Sequence, residues 1–281
     1  MKKVISYSLF NPNCGNFDKS EIRIKTYTQG VWDNLKLIQE IMPDWKMRVY
    51  HNNSIDFSLL PEENSFLEYE LVDKNDDNYM FWRFYAWDDP EIDILLSRDL
   101  DDRINFYDFQ IVKIFESSPS SFCSVRCHEQ HDVPILGGMW SSRPRDFTFS
   151  MLDLLLKWKS EKNSSENYMS DQYFLANCVW PLVSEKCISF GFYGDRFASG
   201  KHVYLPLDKS APHQTEAHLG CTYGPQVTDH SRTDSKYEEH PFAASDEFYS
   251  KLKNLDLEIE QINEKFFLEL GKGLIPEQIN K

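Results

Sequence analysis

The hydrophobic positions of the chain fall into two alternating patterns. Short apolar runs typical of strands occupy residues 3–10, 47–50, 92–96 and 122–126. Apolar or aromatic residues recur at helical spacing over residues 27–41, 79–87, 106–115, 147–158 and 171–179. Asp146 is the expected N-cap of the fourth helix, and Pro181 is expected to end the fifth. The alternation of strands with helices predicts an α/β fold, with a mostly parallel sheet flanked by helices.

A different pattern begins after residue 200. Residues 201–244 are polar and rich in histidine, which predicts loops. Beyond them the apolar positions are spaced alternately by four and three, which is the narrow seam of an amphipathic helix. These positions are Phe248, Leu252, Leu255, Ile259, Ile262 and Phe266. We expect a helical C-terminal extension over residues 245–281, which either packs on its own chain or pairs with a second copy in a homodimer.

Composition limits the classes of protein that remain. The 281-residue chain is 41% hydrophobic and 15% aromatic, so it buries a sizeable core and is not disordered over most of its length. Its net charge of −15 repels phosphate backbones and argues against a nucleic-acid partner. No transmembrane helix is expected, because the chain has no run of 18 apolar residues. The six cysteines are scattered, as in reduced cytosolic proteins, and we expect a cytoplasmic location without a signal peptide.

The negative charge is concentrated ahead of one predicted strand end. Residues 54–102 hold 15 acidic and 3 basic side chains, so they carry −12 of the net −15. The strand over residues 92–96 runs towards Asp99 and Asp101, which point to the same side of an extended chain. Open α/β sheets bind ligands at the carboxyl ends of their strands, where paired carboxylates suit Mg²⁺ or Mn²⁺ together with substrate phosphates. The sequence therefore predicts a divalent-metal site at this strand end.

Two later segments carry further chemistry. Gly137 and Gly138 lie between large apolar residues and allow the backbone to approach a ligand closely, while Trp140 offers a ring face to a sugar or base. Asp171 and Gln172 place an acid and an amide at a helix start. The helix dipole alone favours an acid at this position, but it does not account for the neighbouring amide.

In order and spacing, these segments resemble the nucleotide-sugar glycosyltransferases of the GT-A type, and among them a group of bacterial and viral glycosyltransferase-like proteins. The resemblance covers residues 3–192. The motifs that carry it are Trp82-Arg83-Phe84, Ser97-Arg98-Asp99-Leu100-Asp101, His131-Asp132-Val133-Pro134-Ile135-Leu136-Gly137-Gly138-Met139-Trp140, Asp171-Gln172 and Trp180-Pro181. Asp102 departs from the pattern, because a small polar residue, usually Ser, is expected there. The extra acid leaves open which two carboxylates bind the metal.

The resemblance implies a role for each matching residue. Asp99 would contact the ribose or the metal, and Asp101 would coordinate a metal that bridges the diphosphate. That metal would stabilise the charge that develops on the departing nucleoside diphosphate. Arg83 would face the nucleotide. The sugar and acceptor site would be shaped by Gly137, Gly138 and Trp140.

The resemblance bears on stereochemistry and on a third metal ligand as well. Asp171 and Gln172 resemble an Asp-Gln pair at the reacting carbon of several retaining members, which favours retention. In inverting members an acid near this point is the base for the acceptor hydroxyl, so both outcomes stay open. A late histidine is the expected third ligand, and His230 is chosen from the candidates His202, His213, His218 and His230. Arg143 and Arg145 either pair with diphosphate oxygens or lie on the surface.

The sequence thus predicts a glycosyltransferase, dependent on Mn²⁺ or Mg²⁺, that moves a sugar from a nucleoside-diphosphate sugar to a glycan or protein acceptor. Its expected parts are a GT-A-like catalytic domain over residues 1–200, loops over 201–244 that complete the site, and the C-terminal helix. One alternative is a catalytically idle GT-A-like domain that binds glycans or serves as a scaffold. A nucleotidyltransferase or phosphohydrolase is disfavoured, because residues 11–17 contain one glycine where a Gly-rich phosphate loop is usual.

Overall fold

The computed structural model describes residues 1–11, 21–73, 76–104, 106–126, 131–162, 169–191 and 197–204. The predictions for residues 205–281 lie outside the described residues. They include the metal ligand His230, the candidates His213 and His218, and the C-terminal helix with its dimer.

The described residues form one eight-stranded sheet of order β3-β2-β1-β4-β6-β5-β7-β8. Seven strands run parallel, and β6 runs antiparallel between β4 and β5. The strands are β1 (Lys3–Leu9), β2 (Lys46–His51), β3 (Leu67–Leu71), β4 (Ile94–Ser97), β5 (Phe122–Arg126), β6 (Trp140–Ser142), β7 (Cys187–Gly191) and β8 (Lys201–Tyr204). The predicted α/β fold with a mostly parallel sheet is confirmed.

Helices cover both faces of this sheet. They are α1 (Glu21–Ile41), α2 (Phe106–Ser117), α3 (Met151–Lys162), α4 (Ser170–Phe174) and α5 (Trp180–Val183), and a π-helical turn (Leu175–Val179) joins the last two. Short 3₁₀ segments occupy Phe57–Leu59, Tyr79–Asp88, Pro144–Asp146 and Ser184–Lys186. None of the helices in the described part of the chain is long and apolar enough to cross a membrane.

The alternation of side chains along the strands builds two hydrophobic cores. In β4, Ile94 and Leu96 pack with α1 and α2 on one face, while Leu95 packs with α3, α4 and the Tyr79–Asp88 segment on the other. Both faces of β4 are therefore buried, and Asp99 is the first residue after it that is partly exposed.

Several element boundaries differ from those expected. The predicted fourth helix begins at Met151, because Phe147 and Phe149 pack against Trp87 in the stretch that leads to it. Its first amides, those of Met151 and Leu152, donate to Asp88, so the prediction of Asp146 as N-cap is wrong.

The fifth predicted helix was expected to stop near Pro181, and α5 ends close to that residue, at Val183. Helical structure continues past Pro181 to Val183, because Pro181 stands in the first turn of α5, where a missing N–H costs nothing. Residues 201–204, expected to be loop, form β8 and belong to the same sheet as the rest of the fold.

Candidate functional site

The candidate site lies where β4 leaves the sheet. β4 is parallel to β1, and its last residue, Ser97, pairs with Trp140, the first residue of the reversed strand β6. The segment before β6 therefore enters the sheet at the same edge at which β4 leaves it. This topology brings Gly138 against Asp99.

One buried guanidinium joins three segments at this edge. Arg83 places Nη1 2.7 Å from Asp99 Oδ1 and Nη2 2.6 Å from Asp171 Oδ2. Its Nε donates to the carbonyl oxygen of Gly137 at 3.2 Å. The backbone N–H of Arg83 donates to Ser8 Oγ of β1, which fixes the 3₁₀ segment that carries it. The sequence-predicted residues Arg83, Asp99, Gly137 and Asp171 are thus brought together, although they are far apart in the chain.

The glycine turn is close-packed against these charged groups. A Cβ on Gly137 would meet the Asp171 carboxylate and Arg83 Nη2. A Cβ on Gly138 would meet the carboxylate and the backbone nitrogen of Asp99. A larger residue at either position would displace these charged groups, in accord with the close approach expected from the sequence.

Two residues just before Asp99, Ser97 and Arg98, also hold the glycine turn, and neither was expected from the sequence to have a role in the site. Ser97 Oγ donates to the Gly137 carbonyl at 2.8 Å. Arg98 Nη1 donates to the carbonyls of Ser97 and Gly138, at 2.8 and 3.2 Å. Its Nη2 lies 2.6 Å from Asp108 Oδ1 in the first turn of α2, and both side chains are about 1% exposed. The sequence contained one signal of the role of Arg98, namely an arginine at the end of an apolar strand, because a charge buried there needs a buried partner.

Hydrogen bonds with helix α1 also hold the loop that follows β4 in place. Asn34 is fully buried, and its amide donates to the Asp102 carbonyl at 2.8 Å and accepts from the Ile104 N–H at 2.9 Å. Arg103 pairs with Asp33 of α1 and donates to the Leu100 carbonyl. The backbone on which Asp99 and Asp101 lie is therefore fixed before any ligand arrives.

Asp102 points into the protein. Asp102 is buried, and its Oδ1 accepts a hydrogen bond from the backbone N–H of Arg103 at 2.8 Å. Burial raises the pKa of Asp102 well above its ordinary value, Asp108 adds to the rise, and Arg98 opposes it. Of the three acids in the loop, Asp99 and Asp101 are the less buried pair, which favours them over Asp102 as metal ligands.

The donors at this strand end match the chemistry of a hard divalent cation. Mg²⁺ and Mn²⁺ take oxygen ligands and are commonly held by one or two carboxylates plus substrate phosphates, which Asp99 and Asp101 fit. No group of three or more His, Cys, Asp or Glu side chains forms a complete metal site within the described ranges.

Asp171 is the most enclosed acid of the site. It lies in the first turn of α4, where its Oδ1 accepts the backbone N–H of Gln172 at 2.9 Å. Burial raises the pKa of Asp171, the Arg83 guanidinium opposes that rise, and Asp99 adds to it. Gln172 itself is half-buried beside it.

Trp140 does not offer the stacking face expected from the sequence. Its side chain is fully buried, stacked on Phe122 with ring centroids 5.5 Å apart and flanked by Phe84 and Trp87. The reason is the register of β6, which turns this residue towards the core on the α3 side of the sheet. Trp140 acts in packing, and its position in β6 sets the position of the glycine turn.

The remaining candidates lie away from Asp99. His202 is on β8, three strands beyond β6 in the sheet, and its Nδ1 lies 2.7 Å from Ser189 Oγ of β7. Arg143 donates to the Phe115 and Glu116 carbonyls at the end of α2, and Arg145 pairs with Asp93 on the surface. These contacts favour the structural alternative for both arginines.

Comparison with known proteins gives distant structural matches. No protein-family model and no curated protein matches the chain. It is similar to S. aureus TarS 1-349 at 15% identity and a TM-score of 0.39, over 62% of this chain and 54% of that one, so it spans about half of that fragment. It is also similar to the 4-diphosphocytidyl-2C-methyl-D-erythritol synthase of Anaerococcus prevotii at 9% identity and a TM-score of 0.39, over 70% and 89%. Neither likeness bears on function at these scores.

Proposed function

We propose that the chain is a metal-dependent glycosyltransferase that uses a nucleoside-diphosphate sugar. The observation that carries the proposal is the convergence of Asp99, Asp171 and the Gly137 carbonyl on the single buried guanidinium of Arg83. A core ion pair needs one carboxylate, whereas this cluster joins a strand end, a glycine turn and a helix start at the edge where open α/β sheets bind ligands. It supports the site roles that the GT-A resemblance implies.

Asp99 and Asp101 would hold the Mn²⁺ or Mg²⁺ ion together with the diphosphate of the donor. The ion would supply charge stabilisation for the departing nucleoside diphosphate. Arg98 and Asn34 keep the loop between β4 and α2 in place, so the two carboxylates need little rearrangement on binding. Preorganised charges of this kind are effective because they need no reorientation during the reaction.

Asp171 would act on the sugar through its negative charge. Arg83 engages Oδ2 and the Gln172 N–H engages Oδ1, so both oxygens already accept hydrogen bonds. These two contacts oppose the rise in pKa that burial causes and favour the charged form of Asp171, which is suited to stabilising positive charge at a reacting sugar carbon. This arrangement supports retention of configuration over base catalysis by Asp171.

The first experiment is a donor screen with the purified chain. UDP-, GDP- and CDP-sugars are incubated with Mn²⁺, and release of the nucleoside diphosphate is measured beside the melting temperature. We expect one nucleotide class to be hydrolysed slowly and to raise the melting temperature, because a ligand that binds the folded state stabilises it. If no donor is hydrolysed and none shifts the melting temperature, the enzyme proposal fails and the idle glycan-binding or scaffold alternative takes its place.

Substitution of a metal ligand gives the second experiment. Asp101→Ala should lower turnover by about 100-fold or more, since the ion would lose a ligand, with little change in the melting temperature. The matched control is Asp44→Ala, which removes an exposed aspartate just before β2, at the opposite edge of the sheet. Wild-type turnover in Asp101→Ala would place the metal elsewhere.

A further inference from the structure

Arg98 has contacts that a simple core ion pair does not require. Its guanidinium reaches the carbonyl of Ser97 in β4, the carbonyl of Gly138 in the glycine turn, and the carboxylate of Asp108 in α2. These three acceptors belong to three different elements. The side chain is almost completely buried, so it does not contact a ligand itself.

We propose that Arg98 is a positioning residue of the donor site, which sets the spacing between Asp99 and the Gly137–Gly138 turn. The inference rests on the proposed function, because it is through Asp99 and Gly138 that Arg98 would act on metal and donor. At an extended strand end, the side chains of neighbouring residues point to opposite sides. The buried side chain of Arg98 therefore anchors this stretch of backbone from the interior, while Asp99 points outward. Gly138 in turn lies directly against Asp99.

The shape of the guanidinium matters as much as its charge. Arginine presents five N–H donors in a rigid planar fork. Arg98 directs Nε and Nη2 to the Asp108 carboxylate and Nη1 to the carbonyls of Ser97 and Gly138. A lysine ammonium keeps the positive charge beside Asp108, but as a point charge it cannot span the same acceptors. Arg98→Lys therefore separates the loss of positioning from the loss of a buried charge.

The chain offers a matched control in Arg48 of β2. This arginine is also buried, with a 6% exposed side chain, and it pairs with Glu68 and Asp89. Its polar contacts are with the side chains of Tyr50 on β2, Glu68 on β3 and Asp89 directly after the Tyr79–Asp88 segment, and none is with Asp99. Arg48→Lys should cost stability of the same kind and leave the donor site intact.

The test compares the two lysine variants by two measurements. Hydrogen exchange of the backbone amides is followed over residues 97–102 and 137–140, and Mn²⁺ binding is followed by calorimetry. We expect Arg98→Lys to speed exchange in both segments and to raise the dissociation constant for Mn²⁺ about tenfold, as outer partners of metal ligands do. Saturating Mn²⁺ should restore most of the kcat. Asp108→Glu, which keeps a carboxylate for Arg98 but shifts its anchor, should act in the same direction if Arg98→Lys fails to fold.

The outcomes separate this inference from the proposed function. If Arg98→Lys and Arg48→Lys lower the melting temperature alike and neither changes exchange at residues 137–140, Arg98 is structural only and the inference is overturned. A wild-type chain that binds no Mn²⁺ and hydrolyses no donor contradicts the proposed function and the metal part of the inference. The exchange comparison then still decides whether Arg98 couples the two segments.

Discussion

Arg83 has two carboxylate partners, and this number decides what a single substitution does. Removing the only partner of a buried charge leaves it uncompensated and costs about 3–5 kcal/mol. Arg83 avoids that situation, because Asp99 remains at 2.7 Å when the charge of Asp171 is removed. The chemistry of Asp171 can therefore be tested in a folded protein.

We predict that Asp171→Asn lowers the rate of sugar transfer by about 100-fold or more while nucleotide binding and the fold are retained. The asparagine keeps an oxygen for the Gln172 N–H but loses the negative charge next to the reacting carbon. The rate with a saturating donor and the affinity for the free nucleoside diphosphate are the two measurements. A variant with weakened nucleotide affinity and an unchanged rate would reassign Asp171 to nucleotide binding.

At the scale of elements, helix α1 stabilises a loop that is distant in sequence. Asn34 satisfies the Asp102 carbonyl and the Ile104 N–H, both of which are buried at the start of the connection to α2. The helix thereby replaces part of the hydrogen bonding that a loop next to a sheet would otherwise obtain from water.

We predict that Asn34→Ala lowers the free energy of unfolding by about 2–4 kcal/mol, because it leaves two buried backbone groups unsatisfied. Asn34→Asp should cost at least as much, since its carboxylate can still accept from Ile104 but buries a charge and sets a second acceptor against the Asp102 carbonyl. Urea denaturation measures both, with Gln29→Ala on the exposed side of α1 as the control. Equal stabilities for Asn34→Ala and Gln29→Ala would show that water replaces the asparagine amide.

Four strands of the described sheet, β1, β2, β4 and β5, could be predicted from sequence, because their apolar runs are determined locally. The predicted strand over residues 122–126 coincides with β5, and the strands near residues 3–10 and 47–50 are found within one residue at each end. β3, β6, β7 and β8 were missed, and β6 shows why most plainly, since its three residues carry no periodicity. Asn34 was missed as well, because its two bonds join positions about 70 residues apart in the chain.

Of the candidate site, too, one part could be predicted from the sequence and another could not. Asp99, Arg83, Asp171 and the two glycines could be found from motifs, and the structure brings them together. The interior position of Trp140 could not be found, because it depends on the register between β4 and β6 and not on any local pattern.

For the molecule as a whole, much of the acidity before Asp99 is neutralised within the fold. Glu68 and Asp89 pair with the buried Arg48, and Asp93 pairs with Arg145. Asp102 is different, because it is buried and its pKa is raised. The folded state thus holds a proton on Asp102 at pH values where the unfolded chain has already released it, so Asp102 contributes less stability as the pH rises through that range.

We predict that Asp102→Asn becomes more stable relative to the wild type as the pH rises from 4 towards 7, by up to about 1.4 kcal/mol per pH unit. The asparagine oxygen can still accept the Arg103 N–H, and it carries no proton to lose. Urea denaturation at several pH values measures the difference, and Asp44→Asn, at an exposed position, should show none. A difference that is constant with pH would mean that Asp102 is ionised throughout.

Because β6 carries a core residue and directly follows the glycine turn, sequence changes in this segment affect the candidate site and the core together. A single inserted or deleted residue between Gly138 and Trp140 would move the glycine away from Asp99 and turn the indole out of the interior at once. Selection would therefore act against such an insertion or deletion through both the site and the core. Length variation among relatives of this chain, and any engineered insertion meant to alter the ligand, should fall outside the segment from Gly137 to Ser142.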